Sequence, residues 1–297
     1  MHLRQWAMET LARRAFNGGM TNDTNERTIL VTAGNGKTGR RLVERLEGRG
    51  VPVRVGSRRG TPPFDWYNES TWAPALDGAA AAYLAFVPDT GLPGASAIVG
   101  AFAREAVGRG VRRLVFLSGR GEEEAEASER AVRASGADWT ILRAAWFAQN
   151  FSEHFLLGPV LDGVVALPAD DVAEPFVDVE DIADVAVAAL TEEGHVGRLY
   201  EMTGPRLLTF TEATRLVAEA ADRDVRFLSV APEEYAAGAV AAGLPEEEVG
   251  PLTDMFRRVL DGRNATLGDG VEQALGRPAR DFADYVRAAA ATGVWKG

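Results

Sequence analysis

The sequence predicts an α/β fold: a doubly wound parallel sheet of Rossmann type with a smaller, interleaved C-terminal helical lobe. Three observations lead there. From Thr28 onward, near-continuous apolar runs of strand length alternate with stretches of helical period, as in sheets whose strands are buried on both faces. The first of these runs, "TILVTA", breaks into Gly34, Gly36 and Gly39 immediately before a helix-forming stretch. After Asn150 the regular alternation gives way to short strands and helices, which is the texture of a second lobe.

Taken in order, "TILVTA" is the first strand, and a helix begins near Lys37 with Leu42, Val43 and Leu46 on one face. "VPVRVGS" completes a βαβ unit. The pattern continues through "AAAYLAFV", a helix over 97–109, "RRLVFLS", a helix over 122–135, and "WTILR". Beyond Asn150, "GVVALP" reads as a short strand, and "FVDVEDIADVAVAAL" reads as one more strand and helix of the main sheet. "TFTEATRLVAEAA" opens with Thr209 and Glu212 in capping-box spacing, and further helices are expected over 246–260 and 280–290. Residues 1–26 read as an N-terminal extension. Leu3, Trp6, Leu11 and Phe16 are scattered there among arginines, without the apolar core of a secretory signal.

The 297 residues carry a net charge of −11, which argues against a nucleic-acid surface, since phosphate backbones require clustered Lys and Arg. There is no Cys, and His2, His154 and His195 are far apart, so thiol chemistry and a zinc-type ligand cluster are both excluded as expectations. No apolar run has the length of a membrane span. The expected setting is cytoplasmic and the expected partner a small molecule, with a homo-oligomer left open.

Gly34, Gly36 and Gly39 fit G-x-G-x-x-G between a strand and a helix. Glycines there allow a tight turn and close backbone approach, and free N–H groups at the helix start favour a pyrophosphate. Gly34, Asn35, Gly36, Lys37, Thr38 and Gly39 are therefore the expected dinucleotide cradle. The end of the second strand, "VGSRRG", offers Ser57, Arg58 and Arg59 and no carboxylate for a free 2′-hydroxyl, which favours NADP(H) over NAD(H). The domain reading follows: 27–150 binds NAD(P), and 151–297 forms a substrate lobe from which about 175–190 returns to the Rossmann core.

Several stretches resemble the NmrA-like, atypical short-chain dehydrogenase/reductase family: "TILVTAGNGKTGRR", "RVGSRR", "FDWYNESTW", "AAYLAFVP", "GVRRLVFLS", "WTILRAAWFAQNFSE", "PFVDVEDIADVAVAAL" and "YEMTGPRLLTFTEA". Within that family "FDWYNESTW" and "WFAQNFSE" look most like bacterial relatives of the festuclavine/agroclavine dehydrogenases, which reduce iminium carbons. One departure is Ala33, where the family places the first glycine of its turn. The resemblance implies pyrophosphate on Gly34 to Gly39 and the adenosine phosphate on Arg58. It implies the nicotinamide half against Phe86, Val87 and Pro88, against Ser118 and Gly119, and against Trp146 and Asn150. Trp146, Phe147 and Phe151 are implied to line the substrate.

Ordinary short-chain dehydrogenases protonate an alkoxide with Tyr-x-x-x-Lys, but here Glu126 and Arg130 stand where that motif belongs, and the only lysines are Lys37 and Lys296. An iminium, quinone or activated enone is already electron-poor, so positioning carries most of the catalysis and no ionisable side chain is required. Ser118 is the one candidate donor. The run Glu122 to Glu126 is open to two readings, attraction of a cationic substrate or a solvated helix start, and the stretch from Asp170 through Glu174 to Asp181 is open to the same two. The leading function is an NADPH-dependent oxidoreductase. The alternative is a non-catalytic NADP(H)-binding redox sensor, which an occluded nicotinamide site would favour over an open aromatic pocket.

Overall fold

β1 (Thr28–Thr32) is buried along its whole length and lies between two parallel neighbours, β2 (Val53–Gly56) and β3 (Ala79–Ala85). The computed structural model describes residues 28–296, so the extension expected over 1–26 lies outside the described residues. β4 (Arg113–Gly119), β5 (Asp138–Ala144) and β8 (Arg198–Met202) continue the sheet in the order β2-β1-β3-β4-β5-β8, every pair parallel. The chain leaves β1 to one side for β2 and returns on the other side for β3, which opens a crevice beyond the carboxyl ends of these strands.

Strand pleating divides the sheet residues between two cores. Ile29, Val31, Ala81 and Tyr83 face α1 (Lys37–Gly48), through Leu42 and Leu46, together with a long helix over 179–191. Leu30, Ala82 and Leu84 face the other way, onto α2 (Trp72–Leu76), α3 (Ala95–Gly108) and α4 (Glu123–Arg133). Alternation by residue is what a period of two requires of a sheet covered on both faces. The aromatic stretch "FDWYNESTW" belongs to the second core: the Phe64, Trp66 and Trp72 rings surround Phe102, and Trp66 Nε1 donates to the Ala85 carbonyl at 3.0 Å.

After β5 the chain forms α5 (Asn150–Glu153), α6 (Leu157–Asp162), β6 (Val164–Leu167) and β7 (Ala173–Glu174) before α7 (Val179–Thr191) packs back on the sheet. The strand expected in "FVDV" shrinks to one parallel bridge, Phe147 to Val177, because Asp178 accepts from the Glu180 amide and starts the helix at once. The sixth sheet strand is β8, so the return to the core runs past residue 190. β9 (Leu208–Thr209) pairs with β7, and Thr209 caps α8 (Phe210–Ala221) through the reciprocal capping box with Glu212. β10 (Arg226–Ser229) pairs with β6, followed by α9 (Pro232–Ala241), α10 (Glu246–Val259), α11 (Gly270–Leu275) and α12 (Phe282–Ala291). These elements enclose a separate aromatic core around Phe151, Phe176, Phe210, Phe282 and Trp295. Among the described residues no helix is long and apolar enough to cross a membrane.

The turn after β1 depends on bare Cα atoms. A Cβ on Gly39 would collide with the Ala33 carbonyl and lie 2.7 Å from Gly34 Cα, and one on Gly34 would lie 2.7 Å from Val55 Cγ1. Gly36 is roomier, its nearest contact being the Ala33 carbonyl at 3.0 Å. Ala33 itself sits at φ +49°, a left-handed conformation that costs a residue with a Cβ about 1–2 kcal/mol. Gly39→Ala is therefore expected to destabilise the chain by about 3 kcal/mol or more through overpacking against backbone. Ala33→Gly should be neutral or stabilising by about 1 kcal/mol. Denaturant unfolding of both variants checks the pair.

Candidate active site

A cavity of about 1600 Å³ opens over the carboxyl ends of β1, β3, β4 and β5. Its sheet side is built from the loops after successive strands: Asn35, Gly36 and Lys37 after β1, Phe86, Pro88 and Asp89 after β3, Ser118, Gly119 and Glu122 at the end of β4, and Ala144 and Ala145 at the end of β5. The lobe supplies the opposite wall with Trp146, Phe147, Phe155, Leu228, Tyr235, Met255 and Phe256. The Trp146 ring meets Phe210 edge-on at 5.3 Å and Phe256 at 5.7 Å, so the aromatic wall is held by packing on its far side.

The β1 end of the cavity fits a pyrophosphate. Gly36 is the N-cap of α1 and has no side chain to satisfy the first-turn amides, and no acidic residue occupies that turn. A helix start without cap or carboxylate leaves its N–H groups and positive dipole end for an anion. Lys37 adds a cation. Its Nζ donates to Asn150 Oδ1 at 2.6 Å and lies 5.6 Å from the Phe147 ring centroid, and burial lowers its pKa to about 8. The amide that β5 delivers through Asn150 thus aims the lysine that β1 delivers. Ser57 and Arg58 follow Gly56, whose carbonyl accepts from the Gly34 amide at 3.5 Å. Arg58 and Arg59 are exposed, and among the described residues neither forms an ion pair.

The expected site residues separate into those that face the cavity and those that support it. Asn35, Gly36, Lys37, Phe86, Pro88, Ser118, Gly119, Trp146, Phe147 and Asn150 all line it. Gly34, Thr38 and Gly39 are buried behind the turn. Val87 points outward, 49% exposed. Phe151, expected to touch substrate, is fully buried against Phe176 and Phe282 in the lobe core. Ser118 reaches the wall, but its hydroxyl donates at 2.8 Å to Glu129, a carboxylate only 1% exposed that also takes two bonds from Arg143. The proton expected to serve a substrate is therefore committed to a buried carboxylate.

Three acids in the wall were not legible as site residues. Asp89 carries no sequence signal. Glu122 and Glu174 fall in acidic runs open to a solvated reading, yet both are turned inward. The rest of the Glu122 run behaves otherwise: Glu124 accepts from the Gly94 and Ser96 amides at the start of α3, and Glu126 lies near Arg130 on the outer face of α4. Glu174 is 1% exposed, its Oε1 has no hydrogen-bond partner, and desolvation raises its pKa to about 7. Trp146 Nε1, in the same cavity wall, is likewise without a partner.

The sheet is of the Rossmann type, and the chain is an NAD(P)H-dependent oxidoreductase. No family model matches the chain. A Streptomyces griseus protein, the (4-alkanoyl-5-oxo-2,5-dihydrofuran-3-yl)methyl phosphate reductase, is 33% identical over 86% of this chain and 96% of its own length. Agroclavine dehydrogenase of Claviceps fusiformis is 28% identical over 87% and 96%. Among solved structures, an Escherichia coli NADPH-dependent quinone oxidoreductase complexed with NADPH shares the fold at TM-score 0.73 and 20% identity, covering 88% of this chain and 99% of that one. The chain belongs to the NmrA-like, atypical short-chain dehydrogenase/reductase family.

The buried Glu174 sets a pH dependence. Its folded-state pKa of about 7 stands above the ordinary 4.5, so the folded chain binds the proton more tightly than the unfolded one. Stability attributable to the group is complete at low pH and falls between about 4.5 and about 7. Relative to Glu174→Gln, the wild-type chain is expected to lose on the order of 2–3 kcal/mol across that window, or about 5 °C in Tm. Thermal melts of both proteins at pH 4.5 and 8 measure the difference.

Proposed function

We propose that this chain uses NADPH to reduce a small, apolar, electron-poor acceptor of the iminium or imine, quinone or enone type. The observation that carries this reading is the continuity of one cavity, from an uncapped helix start with Lys37 beside it to a wall of Trp146, Phe155, Tyr235 and Phe256. A dinucleotide laid from the first end would present its nicotinamide to the second. The bound cofactor supplies a hydride. The protein's own residues hold phosphate at Gly36 and Lys37, and they exclude water from the acceptor with aromatic rings. In this division 27–150 binds the cofactor, and 151–297, apart from its return to the sheet, closes over the acceptor.

The absence of Tyr-x-x-x-Lys supports the choice of acceptor. A ketone develops a full alkoxide charge during reduction, whereas an electron-poor acceptor spreads or neutralises the charge. The name of the Streptomyces relative describes an unsaturated oxo-dihydrofuran, a compound of this electronic kind. Open space between the aromatic walls supports turnover in preference to a sensor, whose nicotinamide site would be filled. NADP(H) is preferred over NAD(H) because the end of β2 offers a hydroxyl and guanidinium groups that form no ion pair among the described residues, and the stretch carries no carboxylate.

NADPH oxidation followed against a panel of quinones, enones and cyclic imines tests the reaction, and no oxidation with any of them would overturn it. Gly36→Val is expected to abolish NADPH binding by calorimetry while leaving Tm near the wild-type value, since its side chain would stand where the pyrophosphate lies. Arg58→Ala is expected to weaken NADPH by about ten- to a hundredfold and to spare NADH, the loss of one charge-assisted contact of roughly 1.5–3 kcal/mol. Equal weakening of both cofactors would remove Arg58 from cofactor selection.

A further inference from the structure

We propose that Glu122 is the catalytic acid of this reduction, that Asp89 is the positioning residue that keeps its proton in place, and that the acceptor is one that gains a proton along with the hydride. This inference rests on the reading above and narrows it: an enone, a quinone or a neutral imine requires that proton, and a preformed iminium does not.

The two carboxyls come from the ends of adjacent strands. Asp89 follows β3, Glu122 precedes α4 just after β4, and both line the cavity beside Ser118 and Gly119. Glycines make room for Glu122: a Cβ on Gly119 would lie 2.6 Å from its Oε2, and a Cβ on Gly91 would overlap the same carboxyl. Asp89 Oδ1 accepts from the Gly91 amide at 2.8 Å, whereas Glu122 Oε2 is enclosed without any donor. Two facing carboxylates have no hydrogen between them. One proton on Glu122, donated toward Asp89, satisfies both, and leaves the pair with a single charge at the end served by the amide and nearest Lys37.

The titration of the pair runs the same way, with burial and the neighbouring Asp89 raising Glu122 well above the ordinary carboxyl range. Among the described residues, no charge on the surrounding elements apart from Asp89 acts on Glu122 itself. Lys37 acts on Asp89, Arg120 is turned to Glu201 and Thr266, and Glu124 caps α3. Glu153 is held by Arg40 and Arg41, and burial together with Lys37 keeps His154 below its usual pKa. Ser118 cannot take the role, because its proton is given to Glu129.

In the step itself the acceptor gains a hydride, from NADPH, at its electrophilic atom. The electron pair of the reduced double bond moves to the far oxygen, nitrogen or carbon. That atom takes the proton from the Glu122 carboxyl, leaving a carboxylate, and NADP⁺ is the oxidised product. Water then returns one proton to the pair.

The test uses Glu122→Gln in the full-length chain, which keeps the shape and neutrality of the protonated acid and removes its transferable proton, with the half-exposed Glu126→Gln as the control. Glu122→Gln is expected to lower kcat on a quinone or enone by about 10²- to 10⁴-fold, the usual contribution of a general acid, with NADPH Kd unchanged by calorimetry. The deficit should shrink on an N-alkyl iminium salt. The wild-type rate should fall at high pH as the pair loses its shared proton, and that limb should disappear in the variant. Infrared difference spectra of the cofactor-free protein at pH 7, taken in a Glu174→Gln background because Glu174 also titrates near 7, should show a protonated-carboxyl C=O band with Glu122 and Glu126 intact and with Glu126→Gln that is missing with Glu122→Gln. Wild-type turnover with an equal deficit on all acceptors, or with no deficit, would overturn the assignment of Glu122, as would an unchanged carboxyl band. Failure of the wild-type chain to oxidise NADPH would instead overturn the function proposed above.

Discussion

The closeness of α1 to the turn after β1 is the constraint from which the site follows. With no side chain on Gly39, the helix can begin directly against the Ala33 carbonyl, and Gly36 caps it with nothing but backbone. This fixes where the first-turn amides point, and it sends Arg41 and Arg45, one turn apart, toward α7. Arg41 bonds Glu153 at 2.6 Å and also reaches Glu180, while Arg45 bonds Asp184 at 2.8 Å and also reaches Glu180. Asp184 passes the connection on to Arg277 and Arg280, so one chain of half-buried ion pairs ties α1 to α7 and to the segment leading into α12. Such pairs add little net stability over apolar packing, but losing one partner strands a charge. Their effect is to fix one relative placement of sheet and lobe.

A second polar chain performs the same service at the other end of the crevice. Ser118, Glu129, Arg143, Glu201 and Arg120 are linked in succession, from β4 through α4 to β5, β8 and the loop after β4. Arg120 then bonds the Thr266 carbonyl and side chain, which brings the segment after α10 against the strand ends. Glu129 is buried, and the Ser118 hydroxyl and Arg143 both donate to it, so its oxygens are satisfied away from water. Ser118 is a structural donor, and the loop that carries Gly119 and Glu122 is anchored from both sides.

What the sequence conveys and what it conceals follow from the range of the forces involved. The strands, the glycine turn and the capping box of α8 are specified by neighbours within a few residues, and their patterns are written consecutively along the chain. The "FDWYNESTW" aromatics are equally plain, although their use is to brace the sheet beneath Phe86. The missing strand in "FVDV" was a local competition that Asp178 decided in favour of a helix start. Asp89, Glu122 and Glu174 are different, because a carboxyl becomes chemically special only when distant segments take it out of water. Glu122 shares a run with Glu124 and Glu126, and only the contact with Asp89, 33 positions earlier, distinguishes it. The commitment of Ser118 and the burial of Phe151 are tertiary facts of the same sort.

The replacement of a Tyr–Lys pair by facing carboxyls has an electrostatic logic. A phenol becomes a useful acid near neutrality when a lysine is held beside it, which adds positive charge next to the nicotinamide. Here the lysine of the site, on α1, is bound to Asn150 and acts on Asp89, the partner of Glu122. The residues that line the cavity after β3 and β4 include no tyrosine for it to lower. Two carboxyls sharing one proton reach the neutral range from the other direction, since burial and mutual repulsion raise an acid that is ordinarily too strong. The pair keeps a single negative charge before transfer and gains a second as it gives up the proton, a change that an emerging positive charge on the oxidised nicotinamide would offset.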